Sequence, residues 1–95
     1  MNLAKVAGTV VSTVKNDGLE GATYLLLDKC DITGKRKGDY FIALDVIGVA
    51  QGEMVMVSEG STARETLWTA GKPLDALIVG IVDEIDENNK TVYRK

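Results

Sequence analysis

Histidine is absent from this 95-residue sequence, and cysteine and proline each occur once, as Cys30 and Pro73. Without histidine the chain lacks the usual general base near neutral pH, the usual zinc ligand and every His-dependent nucleophile. One cysteine allows neither an internal disulfide nor a cysteine metal cluster, and with nothing to activate it Cys30 reads as a buried structural thiol. The five aromatics, Tyr24, Tyr40, Phe41, Trp68 and Tyr93, are few for a base-stacking platform. Cations are in the minority, 11 Lys and Arg against 14 Asp and Glu for a net charge of −3, whereas nucleic-acid binders carry a basic face. No stretch approaches the ~20 apolar residues of a membrane span. The start, residues 1–14, has one Lys and an apolar run broken by Gly8, Thr9, Ser12 and Thr13. That is a poor secretory signal, and a cytoplasmic protein is expected. No catalytic residue, cofactor or metal is assigned.

What remains is a globular composition, 45% hydrophobic and 26% charged, in a chain of one-domain length spanning 1–95. The hydrophobic pattern has a period of two. Residues 3–14 read as a first strand, with Val6, Gly8, Val10, Ser12 and Val14 on one face and a bend or bulge at Gly8. A second strand over 23–31 leads through Asp31-Ile32-Thr33-Gly34 to a Lys35-Arg36-Lys37-Gly38 tip, and a third returns over 39–45. A fourth covers 53–59. Thr62 with Glu65 fits a helix capping box, with Gly71 and Pro73 as the stop. Residues 74–86 hold a fifth strand, and Asn88-Asn89 turns it into a last short one over 90–94. The expectation is an all-β fold, a small OB-like five-stranded β-barrel with one short helix.

Leu25-Leu26-Leu27 and Ala76-Leu77-Ile78-Val79-Gly80-Ile81-Val82 are apolar on both faces. A sheet with one wet side should alternate. A small barrel has one interior, so the second face needs another cover, and the economical one is a second copy of the chain.

Four segments are candidates for chemistry or contact. Gly48-Val49-Ala50-Gln51-Gly52-Glu53 is a glycine-spaced loop, but neither a Gly-Lys-Ser/Thr nor a helix follows, so it reads as a tight connection needing positive φ rather than a phosphate cradle. Asp83, Glu84, Asp86 and Glu87 lack EF-hand spacing and read as a solvated strand end. Lys35, Arg36 and Lys37 form a basic tip, which reads as a solubility feature or a docking point for an acidic partner. In Gly60-Ser61-Thr62-Ala63-Arg64, Arg64 falls within the first helical turn, where a cation opposes the helix dipole. That placement suggests an external partner on a neighbouring chain.

These segments, taken in order, resemble the pentameric vertex proteins of bacterial microcompartments, the EutN/CcmL type. The matching pieces are Leu3-Ala4-Lys5-Val6-Ala7-Gly8-Thr9-Val10-Val11-Ser12-Thr13-Val14, Ala43-Leu44-Asp45-Val46-Ile47-Gly48 leading to Gly52-Glu53, Gly60-Ser61-Thr62-Ala63-Arg64, and Pro73-Leu74-Asp75 running on to Asp83. Two departures stand out. Val49 and Ala50 replace the second and third residues of the family's Gly-Ala-Gly-x-Gly-Glu loop, and Thr62 replaces the second Ser of its Gly-Ser-Ser-Ala-Arg. The resemblance implies a homopentamer of barrel subunits, closed head to tail. It would cap the vertices of a cytoplasmic polyhedral shell tiled by hexameric shell proteins, with no catalysis and neither nucleic acid nor membrane as a partner. Gly48, Gly52, Glu53, Gly60, Ser61, Thr62, Ala63 and Arg64 become candidates for assembly, and Lys35, Arg36 and Lys37 candidates for contact at the rim. The competing reading is an OB-type binding module for a small ligand or single-stranded nucleic acid. An enzyme using Cys30 or a carboxylate pair is the weakest.

Overall fold

The computed structural model describes residues 1–11, 23–60 and 76–95. The expected strand end at 12–14, the loop at 15–18 and the capped helix with Ser61, Thr62, Ala63 and Arg64 lie outside them.

Among the described residues seven strands follow one another: β1 (Asn2–Val10), β2 (Thr23–Cys30), β3 (Arg36–Asp45), β4 (Met54–Glu59), β5 (Ala76–Ile81), β6 (Glu84–Glu87) and β7 (Lys90–Arg94). The first five close into a barrel in the order β1-β2-β3-β5-β4, and β6-β7 form a separate hairpin. Every barrel pair is antiparallel except β3 with β5, which meet in parallel at Leu44 and Leu77. The five-stranded barrel is as expected, and so is the last strand after Asn88-Asn89, which pairs with β6 rather than with the barrel.

Alternation fills the interior. Ala4, Val6, Leu25, Leu27, Ala43, Val55, Val57, Ala76 and Ile78 form one buried core, with Phe41 and Val49 packed on it. A second cluster, Cys30, Met54 and Val82 with Leu3, Ile85 and Tyr93, glues the β6-β7 hairpin to the barrel. A lone two-stranded hairpin is marginal in water, so this cluster is what holds it. Cys30 is a buried thiol, as expected, and burial raises its pKa above the ordinary value.

The bend expected at Gly8 is a register shift in the β1-β2 ladder, where Val6 pairs with Leu27 and Gly8 with Leu26. Ala7 is the extra residue, and past it the sides exchange: Gly8 lies on the outer wall beside Leu26, and Thr9, exposed near the end of the strand, pairs with Leu25.

Two boundaries differ from expectation. The third strand begins at Arg36 rather than 39, so Lys35-Arg36-Lys37 is not the hairpin tip. The turn closes earlier because one carboxylate organises it. Asp31 Oδ1 accepts from Thr33 N at 2.9 Å, Thr33 Oγ1 at 2.6 Å and Lys35 N at 3.0 Å. Gly34, at φ 90°, donates to Asp31 O at 3.0 Å. The Thr33 hydroxyl is the main cause of the lowered pKa of Asp31. The fifth strand expected over 74–86 also breaks, between Ile81 and Glu84. Val82 N still reaches Met54 O at 2.8 Å, but the chain then leaves the barrel for a hairpin whose turn puts Asn88 and Asn89 at φ 52° and 66°. Asparagine tolerates that left-handed pair, which suits the twist of a two-residue hairpin turn.

Leu27 is fully buried at the centre of the core. Leu27→Ala should cost about 2–5 kcal/mol, read as a lower urea midpoint at unchanged slope.

Candidate functional site: the loop after β3 and the outer wall of the barrel

The connection from β3 to β4 is shaped by two carboxylates. Asp45, buried at the end of β3, turns its side chain back along the loop. Its Oδ1 accepts from Ile47 N at 2.9 Å and Gly48 N at 3.1 Å, and its Oδ2 from Val49 N at 2.8 Å. Successive backbone N–H groups converging on one point make an anion nest. Here the anion is the chain's own, so the loop has no free donors for a phosphate at that point. The tight-connection reading of this loop holds for a reason the glycine spacing did not show.

Glu53 closes the other end. Its Oε1 accepts from Ala50 N at 2.7 Å, and its Oε2 pairs with Lys95 Nζ at 2.6 Å. The lysine is the main cause of the lowered pKa of Glu53, and Glu53 in turn raises that of Lys95. Gln51 Nε2 donates to Ala7 O at 2.7 Å, while Gly52 N and Val6 N bond Val6 O and Glu53 O, each at 3.0 Å. The loop is therefore riveted to β1 at the bulge. Gly48 and Gly52 take φ 82° and 84°, and Gly60, after β4, takes 67°. Val49 and Ala50 are not among the residues with positive φ, so neither departure from the family loop strains the backbone.

The three basic residues separate. Lys35 and Lys37 are solvated. Arg36 folds onto the barrel, its Nε donating to Asp28 Oδ2 at 2.8 Å and its Nη2 to the Tyr40 hydroxyl at 3.3 Å. Asp39 N adds a bond to Asp28 Oδ1 at 2.9 Å. Asp28 points out of the barrel, yet its side chain is 2% exposed beneath Arg36. The guanidinium beside it is the main cause of its lowered pKa. Arg36 is a structural cover for Asp28, which changes its standing as a rim contact. The acidic run at 83–87 is partly spoken for as well: Glu84 holds Arg94 at 2.6 Å and Asp86 accepts from the Thr91 hydroxyl at 3.0 Å.

Among the described residues the outer wall of the barrel is apolar in two places. One lies along β3 and just past it: Tyr40, Ile42, Val46 and Ile47 are each 40–54% exposed. Register sets Ile42 beside the outward Leu26 and, beyond it, Gly8. The other lies on β4 and β5, where Met56 and Val79 are exposed at 38% and 39%. The doubly apolar strands thus meet solvent on the outer side, as their pattern implied. Asp45, Asp28 and Lys95 were not singled out from sequence. Asp45 could have been, since an Asp three residues before a glycine is a common turn-forming spacing. Lys95 carries no sequence signal for Glu53.

A small closed five-stranded barrel, apolar on parts of its outer wall, with a loop braced by its own carboxylates, is the class of fold these residues define. The chain belongs to the EutN/CcmL family: the family described as ethanolamine utilisation protein EutN/carboxysome matches residues 1–83. The carboxysome shell vertex protein CcmL of Thermosynechococcus vestitus is 41% identical over 95 residues, covering 100% of this chain and 96% of that one. The solved structure of CcmL from Nostoc sp. PCC 7120 superposes with a TM-score of 0.90 at 41% identity, covering 100% of both chains. The pentameric microcompartment shell protein GrpN from Rhodospirillum rubrum gives 0.79 at 39% identity, covering 92% of this chain and 99% of that one.

Asp45→Ala should leave the Ile47, Gly48 and Val49 amides without their acceptor and cost at least about 2 kcal/mol. Amide exchange should accelerate at those three positions and stay slow in β2. Acid acts on Asp28. Its folded pKa is depressed, so its contribution is fully present above the ordinary carboxylate pKa and is lost as pH falls through the lower folded value. The wild-type thermal midpoint should hold near neutrality and fall steeply below about pH 4. Asp28→Asn should start lower and show a shallower acid slope.

Proposed function

We propose that this chain is the structural subunit of a cyclic homopentamer that caps the vertices of a bacterial microcompartment shell in the cytoplasm. The observation that carries this reading is its full-length likeness, at about the same identity, to a named shell vertex protein and to a named pentameric shell protein. Residues 1–95 act as one vertex domain. The protein catalyses nothing. Its partners are other copies of itself and the hexameric tiles that adjoin each corner, and it uses neither nucleic acid nor membrane.

The physical features support each part. A head-to-tail ring uses two different patches per subunit, and the outer wall offers two. The Gly48-to-Glu53 loop, with its internal anion, is a rigid surface feature rather than a ligand cradle. Gly60, Ser61, Thr62, Ala63 and Arg64 complete the assembly surface in this reading, with Arg64 pairing with a carbonyl or carboxylate of the neighbouring subunit. Lys35, just before β3, and Lys37, on its leading end, are solvated and are the cations available to a tile edge. Such rim contacts are polar and individually weak, because shells grow through many repeated contacts.

Light scattering after size exclusion should return about five times the 10.2 kDa subunit mass. A monomer at micromolar concentration would sink this reading.

A further inference from the structure

We infer that the β6-β7 hairpin is a hinged strap: it opens as a unit at Val82-Asp83 while the barrel stays closed, and its opening bares the apolar strip of Leu3 and Met54 and the Cys30 thiol beneath it. The strap belongs to the single subunit and is independent of the ring proposed above.

The first observation is where the bonds run. Strands β1 to β5 close the barrel among themselves, and β6 and β7 pair only with each other. The polar side chains of the hairpin are paired within it. Glu84 Oε1 accepts from Arg94 Nη2 at 2.6 Å, and Asp86 Oδ1 from the Thr91 hydroxyl at 3.0 Å. Lys95 N closes its base by donating to Asp83 O at 2.8 Å. Among the described residues, the single ion pair from the hairpin to the rest of the chain is Lys95 Nζ with Glu53 Oε2, at 2.6 Å. The bond from Val82 N to Met54 O, at 2.8 Å, sits on the barrel side of the hinge and survives opening. Asp83 follows with its side chain 82% exposed, so little has to be unpacked where the chain must turn.

The second observation is what lies beneath. Ile85 and Tyr93 pack on Cys30, Met54, Val82 and Leu3, and under that cover Cys30 is 5% and Met54 0% exposed. None of these residues belongs to the main core inside the barrel, which therefore keeps its packing when the strap lifts. A hairpin of two strands has little stability of its own, so hairpin and seat hold each other and are lost together. Elements joined by so small a contact open locally, at a free energy below that of global unfolding.

The Lys95 pin sets the condition for opening. Its side chain is 51% exposed, so salt weakens it. Glu53 also accepts from Ala50 N, and lifting the strap therefore releases the loop after β3 from the C-terminal strand in the same step.

Cys30 is the only thiol of the chain, and its alkylation by N-ethylmaleimide reads the opening. In the wild type the alkylation rate should stay nearly flat in urea well below the unfolding transition. Its slope should be under about a third of the equilibrium slope, because denaturant dependence follows the surface exposed. Amides of β6 and β7 should exchange with the same shallow dependence, ahead of those in β2. Two variants act far from the thiol. Asn89→Val places a branched residue at φ 66° in the hairpin turn and should raise the flat rate at least about fivefold. Lys95→Ala should raise it about two- to fivefold in low salt and by less in high salt. Alkylation that climbs from the first addition of urea as steeply as global unfolding, or a flat rate unmoved by Asn89→Val, would overturn the strap. If Asn89→Val does not fold, the urea dependence of the wild type decides.

Discussion

A five-stranded barrel has one interior and a wall a single layer thick. Each strand therefore has only one face that the barrel itself can cover. The other must be polar, be roofed by another part of the chain, or be covered by another molecule. This chain roofs part of its outer wall with its own residues and leaves part of it uncovered. Asp28 faces outward but is roofed by Arg36. Leu3 and Met54 lie under the β6-β7 hairpin with Ile85 and Tyr93. Tyr40, Ile42, Met56 and Val79 have neither kind of cover from the described residues, and a partner surface is the remaining way to keep them from water. The assembly reading follows from that constraint together with the kinship.

The hairpin roof also ties distant parts together. Tyr93 stacks under Lys5, with the ammonium 5.6 Å from the ring centroid, and lies against Gly34, where a Cβ would meet the ring at 3.1 Å. Two residues later Lys95 reaches Glu53. One short strand therefore touches the β2-β3 turn, the first strand and the loop after β3. The Lys95 ion pair is exposed enough that it contributes little energy by itself. Its effect is positional, since it engages the carboxylate that also holds the Ala50 amide.

Much of this was legible from the period of the hydrophobic pattern. Alternation identified the barrel strands, and the failure of alternation at Leu25-Leu26-Leu27 and along 76–82 pointed to a covered outer wall. What could not be read was which polar groups would pair over long separations. Arg36 looked like a free cation at a loop tip because Asp28 lies on another strand, and only the register of β2 against β3 brings them together. The turn closed early because the Asp31 side chain reached three donors, a local competition that charge spacing does not reveal. The break after Ile81 was hidden by an apolar run that serves two elements, the barrel up to Val82 and then the hairpin.

The same physics explains why a glycine-rich loop here is not a ligand site. Nests of backbone N–H groups attract anions whatever their source. In a loop meant to bind phosphate, the donors must be left unpaired until the ligand arrives, at a cost in stability of the empty state. Asp45 removes that cost by supplying the anion from within. The loop is then rigid before any partner arrives and loses little freedom on contact. That is the useful arrangement for a surface that must fit identical neighbours repeatedly. It also makes glycine a requirement only where φ is positive, at Gly48 and Gly52. The positions between them are left open to Val49 and Ala50, which is where this chain departs from the family pattern.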